Sequence, residues 1–596
     1  MFMKRRKEKK MNKQENDILR IIRNNPMSNQ REIAELSGHS LGVVNKAVRN
    51  LLNDGYIDTE IKITTKAYDE FKIKAPHNAV ILAAGYGMRM VPINTETPKG
   101  LLEVNGEVLI ERIIRQLHDV GVVDIYVVVG FMKEKYEYLI DDFGVKLIVN
   151  PDYTTKNNLF SLKKALPYLE NTYIIPCDIW CEKNPFNRFE LYSWYMVSDI
   201  VDEDSTVRVN RKQELVSIQP KSGGNAMIGI SYMLKADAEL LKENISRLSE
   251  NPLYDDAFWE SALYKKDKMF VSAKVVHSSD VVEINTYEQL REMDSDSNHL
   301  KTDAIEVICK ALNTKSDGIT DISVLKKGMT NRSFLFKCNG KKYIMRIPGE
   351  GTDKLIDRQN EAMVYSAIKN RNICDNIAYI NPDNGFKISE FLEGARVCNP
   401  QDASDIQKCM DVLRKFHEMK LSVEHRFDIF GQIEFYESLW NGEKSAYKHY
   451  EQTKKNVLSL KKYIDKYVYE ETLSHIDAVP DNFLFVEDDN GNENIRLIDW
   501  EYAGMQDPHV DLAMFCIYAM YDRQQVDKLI DIYFKNKCSN EIRVKIYCYI
   551  AACGLLWSNW CEYKRNLGVD FGEYSLRQYR YAKEYYQVVE EELKKI

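Results

Sequence analysis

With 596 residues, 44% of them hydrophobic and 29% charged, the chain is long enough for three or four domains of ~150 residues and too apolar to be disordered. A net charge of −8 excludes wholesale coating of nucleic acid, although residues 1–75 hold 16 Lys and Arg against 10 Asp and Glu, so the remainder carries −14. The twelve cysteines form no CxxC pair, MFMKRRKEKK leads into a polar helix, and the longest apolar run, near Cys548–Trp557, is too short for a membrane span. Reduced thiols, no membrane insertion and a cytoplasmic location are therefore expected. Cys177 and Cys181 bracket Asp178 but have no further Cys or His partners, which makes a poor zinc site.

After a basic tail over residues 1–10, helical patterns run over Glu15–Asn24, Asn29–Leu36 and Leu41–Leu52. Pro26 with Ser28 as a cap separates the first two, and Gly38-His39-Ser40 separates the second from the third. Tyr56-Ile57 and Ile61–Thr64 then alternate like a two-stranded wing. This order resembles a winged helix-turn-helix and sets a first domain at 1–75. Two uses stay open, DNA binding through residues 11–75 and protein contact. Without the tail the module balances 10 basic against 9 acidic residues, and its third helix offers only Lys46 and Arg49, so contact with protein is favoured over DNA.

From Asn78 the pattern becomes strand and helix in alternation: strands at Ala79–Leu82, Ile125–Val129, Val145–Val149 and Tyr173–Pro176, with helices between them. Such alternation predicts a parallel sheet with helices on both faces and ligands at the carboxyl ends of its strands. Those ends hold LAAGYGMRMVPINTETPKG and Asp178. Gly85 and Gly87 let backbone close on a phosphate chain, Arg89 adds a fork of donors, Lys99 a point charge, and Asp178 a metal ligand. Together these residues resemble the sugar-phosphate and phosphocholine nucleotidylyltransferase family, with a Rossmann-like mixed sheet over 76–295. The resemblance implies Arg89 and Lys99 as catalytic cations that lower the repulsion between a phosphate monoester and the α-phosphorus of CTP, with Mg²⁺ on Asp178.

The family's second acidic ligand falls in a segment resembling EIDT; here it reads Glu283-Ile284-Asn285-Thr286, so Glu283 is expected to carry that contact. Asn157, Asn158 and Ser161 lie where the family reads the nucleotide base, with helix capping as the alternative for the asparagines. Acceptor contacts are expected from Asp255 and Trp259, with Tyr254 and Asp256 beside them, because a ring with carboxylates suits a quaternary ammonium.

MDSDSNHLKTD, from Met293 to Asp303, is the best linker, and the last domain begins near 302 and runs to 596. Strands at Ile319–Leu325 and Ser333–Cys338 flank Lys327–Asn331, a loop suited to nucleotide phosphates through Thr330 and Asn331. Arg346 on the next strand would reach those phosphates, Glu361 on the following helix would pair with it, and Ile388–Leu392, with Glu390, would lie beside adenine.

The stretch HIDAVPDNFLFVEDDNGNENIRLIDWEYAG, from His475 to Gly504, carries the chemistry. Phosphoryl transfer needs a carboxylate beside the attacking hydroxyl and oxygen ligands for Mg²⁺ on the nucleotide. Asp477 fits the base, and Asn482 and Asp499 fit the metal ligands. HxDxxxxN followed by IDWEYAG resembles the choline kinase branch of the aminoglycoside phosphotransferase family, which implies a protein-kinase-like two-lobed fold, ATP, Mg²⁺ and an alcohol acceptor. Downstream, Trp557 and Trp560 are three apart on an apolar helix and share a face; with Tyr502, Glu501 and Tyr574 they are expected to form a cation–π site for choline.

The combined reading is a multidomain α/β and α+β enzyme that phosphorylates choline with ATP and joins phosphocholine to CTP, giving CDP-choline and pyrophosphate. Two alternatives stay open: the same reactions on ethanolamine or another amino alcohol, and a choline-sensing transcription regulator with degenerate enzyme domains.

Overall fold

The computed structural model describes residues 11–26, 28–219, 221–325, 331–349, 355–487, 493–566 and 571–595. The chain forms two compact units, divided between Ile305 and Glu306.

The first unit opens with helices Lys13–Asn24, Gln30–Ser37 and Leu41–Asn53, close to the expected ranges. The cap of the second is Asn29 rather than Ser28: its side chain accepts from the backbone of Arg31 and Glu32, and Glu32 returns the bond, a reciprocal box that Ser28 lies one residue too early to make. The wing shrinks to one antiparallel bridge, Ile57 to Ile63, and a fourth helix, Thr65–Ile73, follows it. This module packs on the rest of its unit. The Arg23 guanidinium lies 3.3 Å from the Phe189 ring centroid and 4.8 Å from that of Phe71. Tyr192 donates to Asp17 at 2.7 Å, and Lys13 donates to the Ala273 carbonyl at 2.8 Å.

The sheet behind it is mixed. Strands Lys146–Val149, Asp124–Val129, Asn78–Ala83 and Thr172–Pro176 are parallel neighbours, as the alternation predicts. Strand Gly224–Met233 then runs antiparallel to Thr172–Pro176 and leads to Trp194–Asp202, Lys268–Val276, Glu214–Ser217 and Val207–Val209. Apolar helices cover both faces, and the two resulting cores lie on opposite sides of the same strands: Ala79, Ile81 and Ala83 face one, Val80 and Leu82 the other. The expected linker is held down instead: Ser297 donates to the Glu103 carbonyl, Asp294 accepts from Asn105, and Tyr287 donates to the Leu300 carbonyl. Its polar residues read as a linker because their bonds go to distant backbone.

The second unit begins with a five-stranded antiparallel sheet, ordered Ile319–Val324, Asn331–Cys338, Lys341–Pro348, Lys387–Glu390, Ile377–Ile380, against which helix Arg358–Ile368 packs. A helical lobe follows. Its core element is helix Asn540–Asn566, buried continuously from Val544 to Glu562 and packed on helix Glu573–Leu593. A helix apolar on every side has to be central. Among the described residues no helix is long and apolar enough to cross a membrane.

Candidate active sites

In the second unit, strand Thr472–Ser474 delivers the loop His475–Asn482. Asp511, fully buried, accepts the backbone N–H of His475 at 2.9 Å and of Ile476 at 2.7 Å, and lies 3.0 Å from His417 Nε2. These bonds hold Ile476 at φ 68°, a left-handed conformation that a β-branched residue adopts only under constraint. His475 Nε2 bonds to the Ile498 carbonyl at 3.0 Å, and its ring meets Trp500 edge-on at 4.4 Å. Burial lowers the His475 pKa, so the ring is a neutral brace that ties the loop to the residue before Asp499.

Asn482 Nδ2 donates to the Asp477 backbone carbonyl at 2.8 Å and to Asp477 Oδ2 at 3.1 Å. Its amide hydrogens are thus turned to Asp477, leaving its oxygen for a metal. Asp499, also left-handed at φ 66°, closes the same cavity of about 660 Å³. Burial, then the charges of Asp499 and Glu501, push the Asp477 carboxyl well above its usual range.

Arg346 and Glu361 form the expected pair, with Nη1 to Oε1 at 2.5 Å and Nη2 to Oε2 at 2.8 Å. Two cations missed in the sequence join them: Arg358 lies 3.2 Å from Glu361 and 3.3 Å from Glu501, and Lys387 lies 3.5 Å from Glu361 and donates to Tyr365 at 2.8 Å. Burial opposes the charge on Glu361, but Lys387, Arg346 and Arg358 hold its pKa down at about 2. Around this cavity Asp375, Glu361, Glu501, Asp477, Asp481 and Asp499 outnumber Arg346, Arg358 and Lys387 among the described residues, an acidic surplus that suits a divalent cation.

The aromatic wall is also present. Tyr502 meets Trp557 edge-on at 5.6 Å, Trp557 meets Trp560 edge-on at 5.6 Å, and Trp560 tilts against Phe571 at 5.1 Å. Tyr574 and Tyr518 line the same cavity. Two expectations need correction. Glu390 does not face this cavity: strand alternation turns Lys387 and Ser389 inward, while Glu390 bonds Lys341 and Asn376, each at 3.0 Å, and lines a separate groove. Glu501 is held by the guanidinium groups rather than offered to the cage. Thr330 lies outside the described residues, as does the side chain of Asn331.

In the first unit, strand Val281–Glu283 pairs antiparallel with Ile179–Cys181, and the Ile284 N–H donates to the Asp178 carbonyl at 3.0 Å, which brings Glu283 beside Asp178. Burial, then the Asp178 charge, raises the Glu283 pKa. Lys99 pairs with Asp178 Oδ2, and Asp178 Oδ1 is buried without a partner among the described residues. An orphaned carboxylate oxygen beside a second carboxylate fits Mg²⁺. Asn285 takes another role: its Oδ1 accepts from Lys99 at 2.7 Å and from Arg89 at 2.9 Å. Gly87, at φ 58°, packs where a Cβ would lie 3.3 Å from Lys99 Cβ, whereas a Cβ on Gly85 would meet nothing within 4 Å.

The base and acceptor residues are less as expected. Asn157 caps its helix through the Asn158 N–H at 2.7 Å and donates to the Asp256 carbonyl, and Asn158 accepts from Trp259 N–H. Ser161 is buried on Asn150, not turned to a base. Trp259, 1% exposed, is a core ring against Tyr195 and has no face for a ligand; its neighbour Phe258 is the exposed ring. Asp255 pairs with Lys156 at 3.2 Å.

Asp511 and Lys387 had readable signals, a lone acid in the apolar helix Val510–Tyr518 and an inward-facing lysine on a short strand. Arg358 sits one helical turn before Glu361, a pairing distance that was also legible.

Known families match these parts. A MobA-like NTP transferase domain matches residues 79–185, a choline/ethanolamine kinase domain residues 322–551, and a winged helix-turn-helix DNA-binding domain residues 11–58. A choline-phosphate cytidylyltransferase of Streptococcus pneumoniae is 30% identical over 221 residues, 36% of this chain and 96% of that protein. The chain belongs to the nucleotidyltransferase family, fused to a domain of the choline/ethanolamine kinase family. A 2-aminoethylphosphonate cytidylyltransferase of Lancefieldella rimae is also similar to the fusion, 30% identical over 236 residues, 36% of this chain and 92% of that protein. Among solved structures, the choline kinase LicA of Streptococcus pneumoniae is 30% identical, with a TM-score of 0.42, covering 48% of the fusion and 97% of that chain.

Proposed function

We propose that the fusion phosphorylates choline with ATP and then transfers CMP from CTP to the phosphocholine, releasing pyrophosphate and CDP-choline. The observation that carries this reading is a single cavity shared by Asp477, Asn482 and Asp499 with Tyr502, Trp557, Trp560, Phe571 and Tyr574. Asp477 accepts the proton of the alcohol hydroxyl, and Arg346, oriented by Glu361, presents its remaining donors to nucleotide phosphates. Asn482 and Asp499 would hold Mg²⁺, whose charge supports phosphate binding and transfer. The indole faces favour a permanently charged, weakly hydrated head group.

In the first unit Lys99 and Arg89 present cations to the triphosphate and to the incoming phosphate monoester, while Asp178 and Glu283 would hold Mg²⁺. The product of the kinase is then the acceptor of the transferase. A second reading keeps both reactions and takes a primary amine, such as ethanolamine; the likeness to a 2-aminoethylphosphonate cytidylyltransferase favours it. ³¹P NMR of the purified protein with ATP, CTP, Mg²⁺ and either choline or ethanolamine separates the two. Choline should give phosphocholine, CDP-choline and pyrophosphate at higher kcat/KM. Preference for ethanolamine would transfer the assignment, and no phosphorylated alcohol from either would overturn it.

A further inference from the structure

The cavity of the second unit is lined by five carboxylates among the described residues: Asp375, Asp477, Asp481, Asp499 and Glu501. Four are committed by position. Asp477 and Asp499 belong to phosphoryl transfer, Glu501 lies 3.3 Å from Arg358 and 3.8 Å from Arg346, and Asp375 bonds Ser389 beside Lys387. Asp481 stands apart. It is exposed on the turn Pro480–Asn482, four residues past Asp477, and its Oδ2 accepts from the Tyr518 hydroxyl at 2.8 Å. The Tyr518 ring in turn meets Tyr574 edge-on at 6.0 Å, so the aromatic wall and this carboxylate are joined through one side chain.

Indole and phenol faces attract a cation through their quadrupoles but carry no net charge, so a cation entering an aromatic site keeps an unbalanced charge unless an anion stands nearby. We propose that Asp481, held by Tyr518, is the counter-charge of the subsite that receives the alkylammonium head of the alcohol substrate. This rests on reading the second unit as a kinase for a cationic alcohol. Asp481 attracts the head group at the mouth while the rings enclose it, and Asp477 is left to serve the hydroxyl end.

The test compares choline with its uncharged isostere 3,3-dimethylbutan-1-ol in wild type, Asp481→Asn and Asp481→Glu. Asparagine keeps an oxygen for Tyr518 and removes only the charge. The ratio of kcat/KM for choline to that for the isostere should fall roughly five- to tenfold in Asp481→Asn, through KM, and recover in Asp481→Glu. The choline KM of wild type should also rise with ionic strength, and that of Asp481→Asn much less. A ratio within about twofold of wild type in Asp481→Asn, or equal losses on both alcohols, overturns the subsite. A wild-type protein that phosphorylates neither alcohol overturns the kinase reading itself, a result visible before any variant is made.

Discussion

The side-chain oxygen of Asn285 lies 2.7 Å from the Lys99 ammonium and 2.9 Å from Arg89, so the residue bridges the two cations that face the phosphates. An amide can do this without drawing a proton or a metal away from Asp178. Replacing it by a carboxylate should change which partner the site prefers. Asn285→Asp is expected to bind Mn²⁺ about tenfold more tightly in an electron paramagnetic resonance titration, a gain on the scale of one charge-assisted contact. Equal or weaker Mn²⁺ binding would show that this oxygen has no access to the metal.

The two chemistries should separate by mutation. Asp477→Ala is expected to lower the kinase rate by about 10²–10⁴ and to leave transfer from supplied phosphocholine intact, while Lys99→Ala does the reverse. Loss of both reactions in either variant, with the fold retained by circular dichroism, would contradict independent sites.

Asp511 touches no reacting atom, yet it fixes the strained Ile476 by accepting two backbone N–H groups. Asp511→Asn replaces an acceptor-only group by one that must point its amide at a donor, which should cost about 2–4 kcal/mol and lower kinase kcat far more than it raises the KM for ATP. A KM-dominated defect would argue against this positioning role.

Trp557 and Trp560 should be measured together. Changing both to Phe keeps rings but weakens the cation–π face, and choline affinity should fall several-fold, from about 0.5–2 kcal/mol per indole. Affinity for choline that is untouched by the change would remove the cage from the scheme.

Glu361 gives a pH prediction. Its pKa is about 2 in the fold against 4.5 for the ordinary side chain, so the unfolded chain takes up a proton first as pH falls. The stabilisation, on the order of 3 kcal/mol, is complete above pH ~4.5 and lost as pH drops toward 2. Urea unfolding of wild type across that window should show a steeper pH slope than Glu361→Gln by about one proton, even though the variant is less stable throughout. Equal slopes would mean that Glu361 is not ionised against its three cations.

Local pattern made much of this architecture legible. Strand and helix alternation located the parallel half of the first sheet, and the spacing of Asp477, Asn482 and Asp499 identified residues that share a cavity. What escaped was set by distant contacts. Ser161 and Trp259 are polar and aromatic, as ligand residues tend to be, but their backbone directions turn them into cores on Asn150 and Tyr195. Glu390 failed by one residue of strand alternation, which sequence alone does not phase. The mixed character of that sheet came from the family resemblance alone, and the order of its antiparallel strands escaped local pattern because pairing direction depends on how a long connection returns.

The two indoles project from one helix that is buried along 19 consecutive residues, Val544 to Glu562. Side chains rooted in so dense an interior cannot step aside for a bulkier guest without opening voids along the whole rod. Size discrimination should therefore be abrupt: replacing N-methyl groups by N-propyl groups ought to exclude an alcohol outright, where a loop-built pouch would merely have stretched.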